Sequence, residues 1–264
     1  MGILGQICPP IIKRWVSALS PYGWHGDYPD HATAARMCGD YSDPEILRKV
    51  ESAVTAVLRG EAAFERDGVA FAAAEFRWQL LSCLLHSLRT RQRLSVLDVG
   101  GSLASCWLQH RTWLDLPEVS WAIVEQTNYC AAGRLHFRGL RPLFFDNLDE
   151  AIAASRPTLL LCSSSLQYLP DPWSLLGHPA LRDSDLLIDL TPVTDRGRDR
   201  FTIQRVPPSI YKASYPCRIL DESRLAAVAA LGRRLTATWV NPVDMRLPGC
   251  FYRGLFATRS DPKQ

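Results

Sequence analysis

The sequence predicts an α/β fold built on an open, doubly wound, largely parallel sheet. Two observations carry this. Strand and helix signals alternate from about residue 94 to the end of the chain, the pattern that parallel strands joined by crossover helices produce. One apolar run, Val96, Leu97 and Val99, holds Asp98 and stops at Gly100-Gly101-Ser102. Glycines at that point let the backbone turn tightly and approach a ligand, because they have no Cβ. The crevice beyond the carboxyl end of such a strand is where these sheets bind small molecules.

The elements follow in order. Residues 1–40 are loop-rich, with Pro9-Pro10, Pro21, Gly23, Gly26, Pro29 and Gly39. Within them, residues 9–19 read as a short amphipathic helix, which either packs on the domain, the favoured reading, or touches a membrane surface. Asp43-Pro44 opens a helix, with Asp43 as its cap and Pro44 in its first turn. Ile46, Leu47, Val50, Val54, Val57 and Leu58 share one face, and Gly60 ends it. A second helix is predicted over 69–90, with Phe71, Phe76, Leu80, Leu81, Leu84, Leu85 and Leu88 as its apolar stripe. Residues 1–92 thus read as an N-terminal loop and helical cap on a core spanning 93–264. Core strands are expected near 94–99, 119–124, 140–145, 158–162, 185–190, 234–240 and 250–257. Core helices are expected near 102–113, 126–133, 147–154, 172–177 and 221–231, the first capped by Ser102. Asn241-Pro242 through Pro248-Gly249 joins the last two strands as a turn-rich loop, which predicts an antiparallel hairpin. Residues 191–220 read as a long loop leaving the carboxyl edge of the sheet, a place where such loops are usually functional.

Composition narrows the function. A chain of 264 residues suffices for one such domain with additions. The hydrophobic share of 47% is ordinary for a globular protein. A net charge of +3 is too small to mark a nucleic-acid-binding surface. The eight cysteines form no C-x-x-C pair, and several sit in apolar runs, a pattern of reduced, buried thiols that fits the cytoplasm. The six histidines have no metal-ligand spacing, so no metal is expected. No apolar run approaches the length of a membrane span. The stretch 11–16 is too short and too charged for a signal-peptide core, and Gln6 stands where myristoylation expects Ser or Thr.

The glycine turn lacks the Gly-x-Gly-x-x-Gly of dinucleotide sites and the Gly-Lys-Ser/Thr of a P-loop. A nicotinamide-dependent oxidoreductase is disfavoured on that ground. Asp98-Val99-Gly100-Gly101 instead resembles the first motif of Rossmann-like S-adenosylmethionine (SAM)-dependent methyltransferases. The next strand signal ends in Glu125, where this architecture keeps its ribose-binding acid. A carboxylate suits that role because it accepts from two vicinal hydroxyls at once.

Four stretches make the resemblance specific. They are Gly60-Glu61-Ala62-Ala63-Phe64-Glu65-Arg66-Asp67, Leu97-Asp98-Val99-Gly100-Gly101-Ser102-Leu103, Ser163-Ser164-Ser165-Leu166-Gln167-Tyr168-Leu169-Pro170-Asp171-Pro172 and Gln204-Arg205-Val206-Pro207-Pro208-Ser209-Ile210-Tyr211. In order and spacing they resemble a family of SAM-dependent methyltransferases found among bacterial surface-polysaccharide genes, over residues 24–240. The resemblance implies the seven-stranded class I methyltransferase fold, with SAM as cofactor and S-adenosylhomocysteine (SAH) as product. A glycan acceptor is implied by association. Three positions depart from the family: Ala104 replaces a glycine, Leu190 follows Asp189 in place of an arginine, and Thr158 replaces an acid. Ala104 reads as a conservative change at a helix start.

The residues then take these readings. Asp98 partners the cofactor's ammonium, directly or through water, and Gly100, Gly101 and Ser102 lie along its methionine part. Glu125 holds the ribose, and Gln126 reaches the ribose or the adenine edge. Asp146 either accepts from the adenine amino group or caps the next helix. Ser163 and Ser164 end the fourth strand beneath the reacting centre. Gln167 and Tyr168 bind cofactor or acceptor, or Tyr168 is simply a buried tyrosine. Glu65-Arg66-Asp67 lies between the two predicted helices: Arg66 binds the cofactor carboxylate and Glu65 and Asp67 face the acceptor, or Asp67 caps the next helix. From the 191–220 stretch, Arg200, Gln204, Tyr211 and Tyr215 suit a polyhydroxylated acceptor. Methyl transfer is an in-line displacement in which positioning supplies ~7–11 kcal/mol, and a hydroxyl acceptor also needs a base. Asp189, Tyr211 and His25 are the candidate bases; His178, ahead of Pro179, reads as a surface residue. The leading function is O-methylation of a sugar or glycan hydroxyl. Methylation of a small natural product, or of nitrogen, and a catalytically silent SAM-fold binding protein are the alternatives.

Overall fold

The computed structural model describes residues 21–39, 44–208, 210–211, 213–243 and 245–260. The amphipathic stretch at 9–19 and the Asp43 cap lie outside these. The chain opens with β1 (Gly23–Tyr28) and α1 (His31–Ala35), then α2 (Pro44–Leu58), a hairpin of β2 (Phe64–Arg66) and β3 (Val69–Phe71), and α3 (Trp78–Arg91). The core follows: β4 (Leu94–Val99), α4 (Ser105–Leu114), β5 (Val119–Val124), α5 (Thr127–His136), β6 (Pro142–Phe145), α6 (Leu148–Ser155) and β7 (Leu159–Ser163). It continues with α7 (Pro172–Leu176), β8 (Asp185–Thr194), β9 (Arg200–Arg205), β10 (Ser214–Asp221), α8 (Glu222–Ala229), β11 (Arg233–Asn241) and β12 (Cys250–Arg259).

Seven strands lie in the order β6-β5-β4-β7-β8-β12-β11. The first five are parallel, and β12 runs antiparallel to both of its neighbours. The expected final hairpin is therefore present, with its second strand placed inside the sheet. Alternation along each strand builds two cores. Leu94 and Val96 of β4, Leu159 and Leu161 of β7 and Leu187 of β8 face α2, α3, α4 and α5. Leu97, Val99, Leu160, Cys162, Leu186 and Ile188 face α6, α7 and α8. Both faces of the sheet are covered, which explains why these strands read as nearly continuous apolar runs. No described helix is long and apolar enough to cross a membrane.

Three features depart from the sequence reading. The helix expected over 69–90 begins only at Trp78. Asp67 (φ 52°) and Gly68 (φ 72°) form the two-residue turn of the β2–β3 hairpin instead. Asp-Gly favours that turn because both central residues need positive φ, and stacked Phe64 and Phe71, with ring centroids 4.7 Å apart, close the hairpin. Phe71 thus belongs to a strand, and Asp67 caps no helix. The N-terminal part is accordingly mixed rather than helical, and β1 joins the sheet edge through β9.

The second departure is at 191–220, which is sheet and not loop. β8 runs on past β7, and β10 pairs with its last residues, Val193 and Thr194. β9 and β1 then extend that edge antiparallel. Pro192 and Pro216 read as punctuation, yet both sit within strands. The third departure is at the glycine turn. Helix α4 starts at Ser105, and Ser102 (φ 52°) does not cap it. Ala104, the N-cap residue, is buried and left-handed at φ 62°. An L-residue held there costs about 1–2 kcal/mol, so Ala104 is not a conservative replacement for glycine.

One contact inside the β11–β12 hairpin is especially close. Trp239 pairs with Gly254, and a Cβ at Gly254 would overlap the Trp239 indole. Gly254→Ala is expected to lower stability by about 1–3 kcal/mol, as overpacking does. Chemical denaturation of the variant measures this; an unchanged midpoint would refute it.

Candidate active site

The alternation that builds the cores also aims the polar residues. Asp98, Ser163 and Asp189 lie on the β4, β7 and β8 face that carries Val96, Leu161 and Leu187. Glu125 follows β5 in the same phase as Trp121 and Ile123. Asp98, Ser163 and Glu125 sit at carboxyl ends of parallel strands, and Asp189 lies level with Ser163, midway along the longer β8. A cavity of about 700 Å³ opens there, within the range of small-molecule sites.

Core segments form one wall: Asp98 through Ser102, Ser105, Val124 through Gln126, and Ser163 through Ser165. Gly100 adopts φ 75°, and a Cβ on it would meet Ser165 Cβ at 2.5 Å. A Cβ on Gly101 would stand 2.6 Å from the Asp98 carboxyl. Both glycines are therefore required by the packing of the turn. Asp98 is 1% exposed and accepts from Trp121 Nε1 at 3.1 Å. Burial pushes its carboxyl up to about 7, against the Trp121 hydrogen bond and the Arg77 charge. Burial also raises Glu125, opposed by the backbone N–H groups of Gln126 and Ser102.

Sequence reasoning missed Arg77, the cation on the cavity wall that lies closest to these acids. Its Nη1 donates to Ser163 Oγ at 2.7 Å and to Asp189 Oδ2 at 2.8 Å. Nη2 reaches Cys106 Sγ at 3.3 Å. The Arg77 backbone N–H donates to His110 Nε2 at 3.1 Å, so the ring proton sits on Nδ1, which donates to the Cys106 carbonyl at 2.8 Å. Burial lowers His110 to about 4 and keeps it neutral. The available signal was a charge set between Phe76 and Trp78, inside the stretch read as one helix over 69–90.

The other wall comes from elements added to the core: His31 and Cys38, Glu65 through Asp67, Tyr168, and Tyr211 with Tyr215. Glu65 is 1% exposed and accepts from Ser105 Oγ and, at 3.3 Å, from the Gly68 N–H. Arg66 turns to Glu75 at 3.0 Å. The Tyr211 and Tyr215 hydroxyls lie 3.3 Å apart, and the Tyr168 hydroxyl donates to Gln204 Oε1 at 2.8 Å. Burial raises Tyr168 and Tyr215 well above the ordinary phenol range, so both keep their protons.

Six residues singled out from the sequence lie off the cavity wall. Asp189 is buried behind Arg77, and its other oxygen accepts from Trp239 Nε1 and Asn241 Nδ2, both at 3.2 Å. A carboxylate so occupied holds an arginine rather than taking a proton. His25 lies on the edge strand β1. Asp146 is exposed after β6, and Asn147, not Asp146, caps α6. Gln167 is buried and donates to Ser164 Oγ at 3.2 Å. Arg200 pairs with Asp27 at 3.6 Å, and Gln204 acts only through Tyr168.

No family model and no curated protein matches the chain. Solved structures do. The N-terminal domain of EvdMO1, crystallised in the presence of SAH and D-fucose, aligns over 84% of this chain and 98% of its own, with 16% identity and a TM-score of 0.50. A SAM-dependent methyltransferase from Clostridium acetobutylicum aligns over 81% and 99%, with 10% identity and a TM-score of 0.47. An O-methyltransferase family protein from Burkholderia thailandensis aligns over 73% and 58%, with 16% identity and a TM-score of 0.46. At such identities the likeness is one of fold. Strand order and the first of these alignments agree: the chain has the Rossmann-like, seven-stranded class I methyltransferase fold.

Proposed function

We propose that this chain is a SAM-dependent methyltransferase acting on a hydroxyl of a sugar or glycan. One observation carries the reading: Asp98 and Glu125 end adjacent parallel strands and flank the Gly100-Gly101 turn on a single cavity wall. These residues fit the cofactor. Asp98 would hold the ammonium, Gly100 to Ser102 would border the methionine part, and Glu125, with Gln126, would hold the ribose. The cofactor supplies a methyl group made electrophilic by its sulfonium. The chain's own part is alignment and desolvation. Tyr168, Tyr211 and Tyr215 offer ring faces and hydroxyls to a polyhydroxylated acceptor. The presence of D-fucose with the EvdMO1 domain agrees with an acceptor of that kind.

Calorimetry should find binding of SAM and SAH and none of NAD. Glu125→Ala should weaken SAH binding by about 1.5–3 kcal/mol, the worth of hydrogen bonds to a charged group. Unchanged affinity in the folded variant would assign the ribose to another residue.

Asp98 gives a pH signature. Its carboxyl is held near 7 in the free protein, and a bound ammonium favours the ionised form. SAM binding should therefore release a proton near neutral pH, and affinity should fall as pH drops below about 7. Titrations in buffers of different ionisation enthalpy read that proton; no release would remove Asp98 from this role.

Tyr211→Ala should lower methyl transfer at least tenfold (about 1.4 kcal/mol) while SAH affinity holds. Equal losses of both would assign Tyr211 to the cofactor.

A further inference from the structure

We propose that Glu65 is the general base that takes the proton from the acceptor hydroxyl. This inference rests on the methyltransferase reading and deepens it. Glu65 lies where the two walls meet: β2 carries it, and Ser105, the first residue of α4, holds it from the cofactor wall.

Its position, and the engagement of its neighbours elsewhere, set Glu65 apart. A buried carboxylate is normally paired with a cation. Among the described residues Glu65 has no ion pair, and each nearby cation is engaged. Arg66 pairs with Glu75 and lies over the Phe64 and Phe71 rings, at 5.4 and 5.8 Å. Arg77 is held by Asp189 and Ser163. Lys49, whose stem packs against the hairpin turn, donates to the Ile210 carbonyl at 2.7 Å. The other titratable groups around this corner are Asp67 on the hairpin, Cys106 on α4 and Asp98 across the cavity.

Two donors, the Ser105 hydroxyl and the Gly68 N–H, fix the carboxylate without neutralising it. Each oxygen keeps a lone pair free. Burial, the dominant influence, pushes this carboxyl up to about 7, and a base near the working pH accepts a proton most effectively. The rival groups are otherwise occupied: Asp189 is saturated by donors, and Tyr168 and Tyr215 keep their protons.

The step balances. The acceptor oxygen forms its bond to the methyl carbon, and the carbon–sulfur bond breaks with its electron pair left on sulfur. The hydroxyl proton passes to Glu65 and from there to solvent. The products are the methyl ether, SAH and one proton.

The test uses the full chain with SAH bound and carboxyl-labelled glutamate. The Glu65 carbon-13 signal, assigned by its loss in Glu65→Gln, should titrate near 7; a midpoint at the ordinary glutamate value overturns the proposal. Ser105→Ala removes a donor that favours the ionised form, so that midpoint should move up; an unmoved midpoint overturns it. This second variant leaves the carboxylate in place and serves if Glu65→Gln does not fold.

SAH affinity in Glu65→Gln should stay within about threefold, about 0.7 kcal/mol. A loss beyond tenfold makes Glu65 a cofactor ligand and overturns the proposal. With methyl glycosides of hexoses and 6-deoxyhexoses as acceptor probes, kcat in Glu65→Gln should fall by about 10²–10⁴-fold. The acid limb of its pH profile should vanish, and Glu65→Asp should restore part of the rate. Full activity in Glu65→Gln with intact SAH binding overturns the assignment of Glu65 alone. Absence of SAH binding by the wild type overturns the methyltransferase reading itself.

Discussion

The buried pair of Arg77 and Asp189 is the contact on which the site depends. It joins four parts of the molecule: the start of α3, the middle of β8, Ser163 at the end of β7, and the β11–β12 hairpin through Trp239 and Asn241. Arg77 is 19% exposed and Asp189 2%. Ionic groups so buried are costly unless every donor and acceptor is engaged. Here both Asp189 oxygens are filled and the guanidinium spans Asp189, Ser163 and the Cys106 sulfur, while the buried Arg77 Nε has no partner, so part of that cost stays with the fold. Removing either partner leaves an unpaired charge under the cavity floor. The pair thereby ties the start of α3 to β7 and β8 beside the cavity.

With Asp189 matched to Arg77, the cavity wall holds an excess of negative charge. Asp98, Glu65 and Glu125 line it, and burial raises all three carboxyls. Raised carboxylates are a cost carried by the free protein. A ligand bearing positive charge offsets it by bringing its own counter-charge. The proposed cofactor carries an ammonium and a sulfonium, and its product has lost the sulfonium.

The core was legible from sequence because its signals are local. The apolar runs at 94–99 and 119–124, and Gly100-Gly101, mark strand ends whatever the partners are. Asp98 and Glu125 followed from those ends. Arg77 was not legible, since its role depends on Asp189 and Ser163, remote in sequence and brought together only by parallel pairing. Asp189 was found but misjudged for the same reason: a carboxylate reads as a base until its donors are known. The β2–β3 hairpin had a local signal in Asp67-Gly68, outvoted by the spacing of Phe71 and Phe76. The strands of 191–220 were hidden by their prolines, which an edge or irregular ladder tolerates.

Two of the three departures in the fold fall on the added elements, and α1, the β2–β3 hairpin and β10 among them line the cavity opposite the strand ends. A class I core presents the same strand ends in every member, so it specifies where a cofactor lies. What lies opposite is set by what is attached: here α1, the β2–β3 hairpin and β10, with β9 pairing behind β10. Attaching β9 and β10 as sheet rather than loop has a physical consequence. Tyr215 is fixed by ladder hydrogen bonds to Gln204, which also receives the Tyr168 hydroxyl. A wall held by backbone pairing loses little entropy when an acceptor enters, so binding is not taxed by ordering a loop. Tyr168 and Tyr215 meet edge to face with centroids 5.1 Å apart, and neither ring can turn without displacing the other. On the proposed reading, Tyr168 and Tyr215 would present the acceptor with an aromatic surface already held in place.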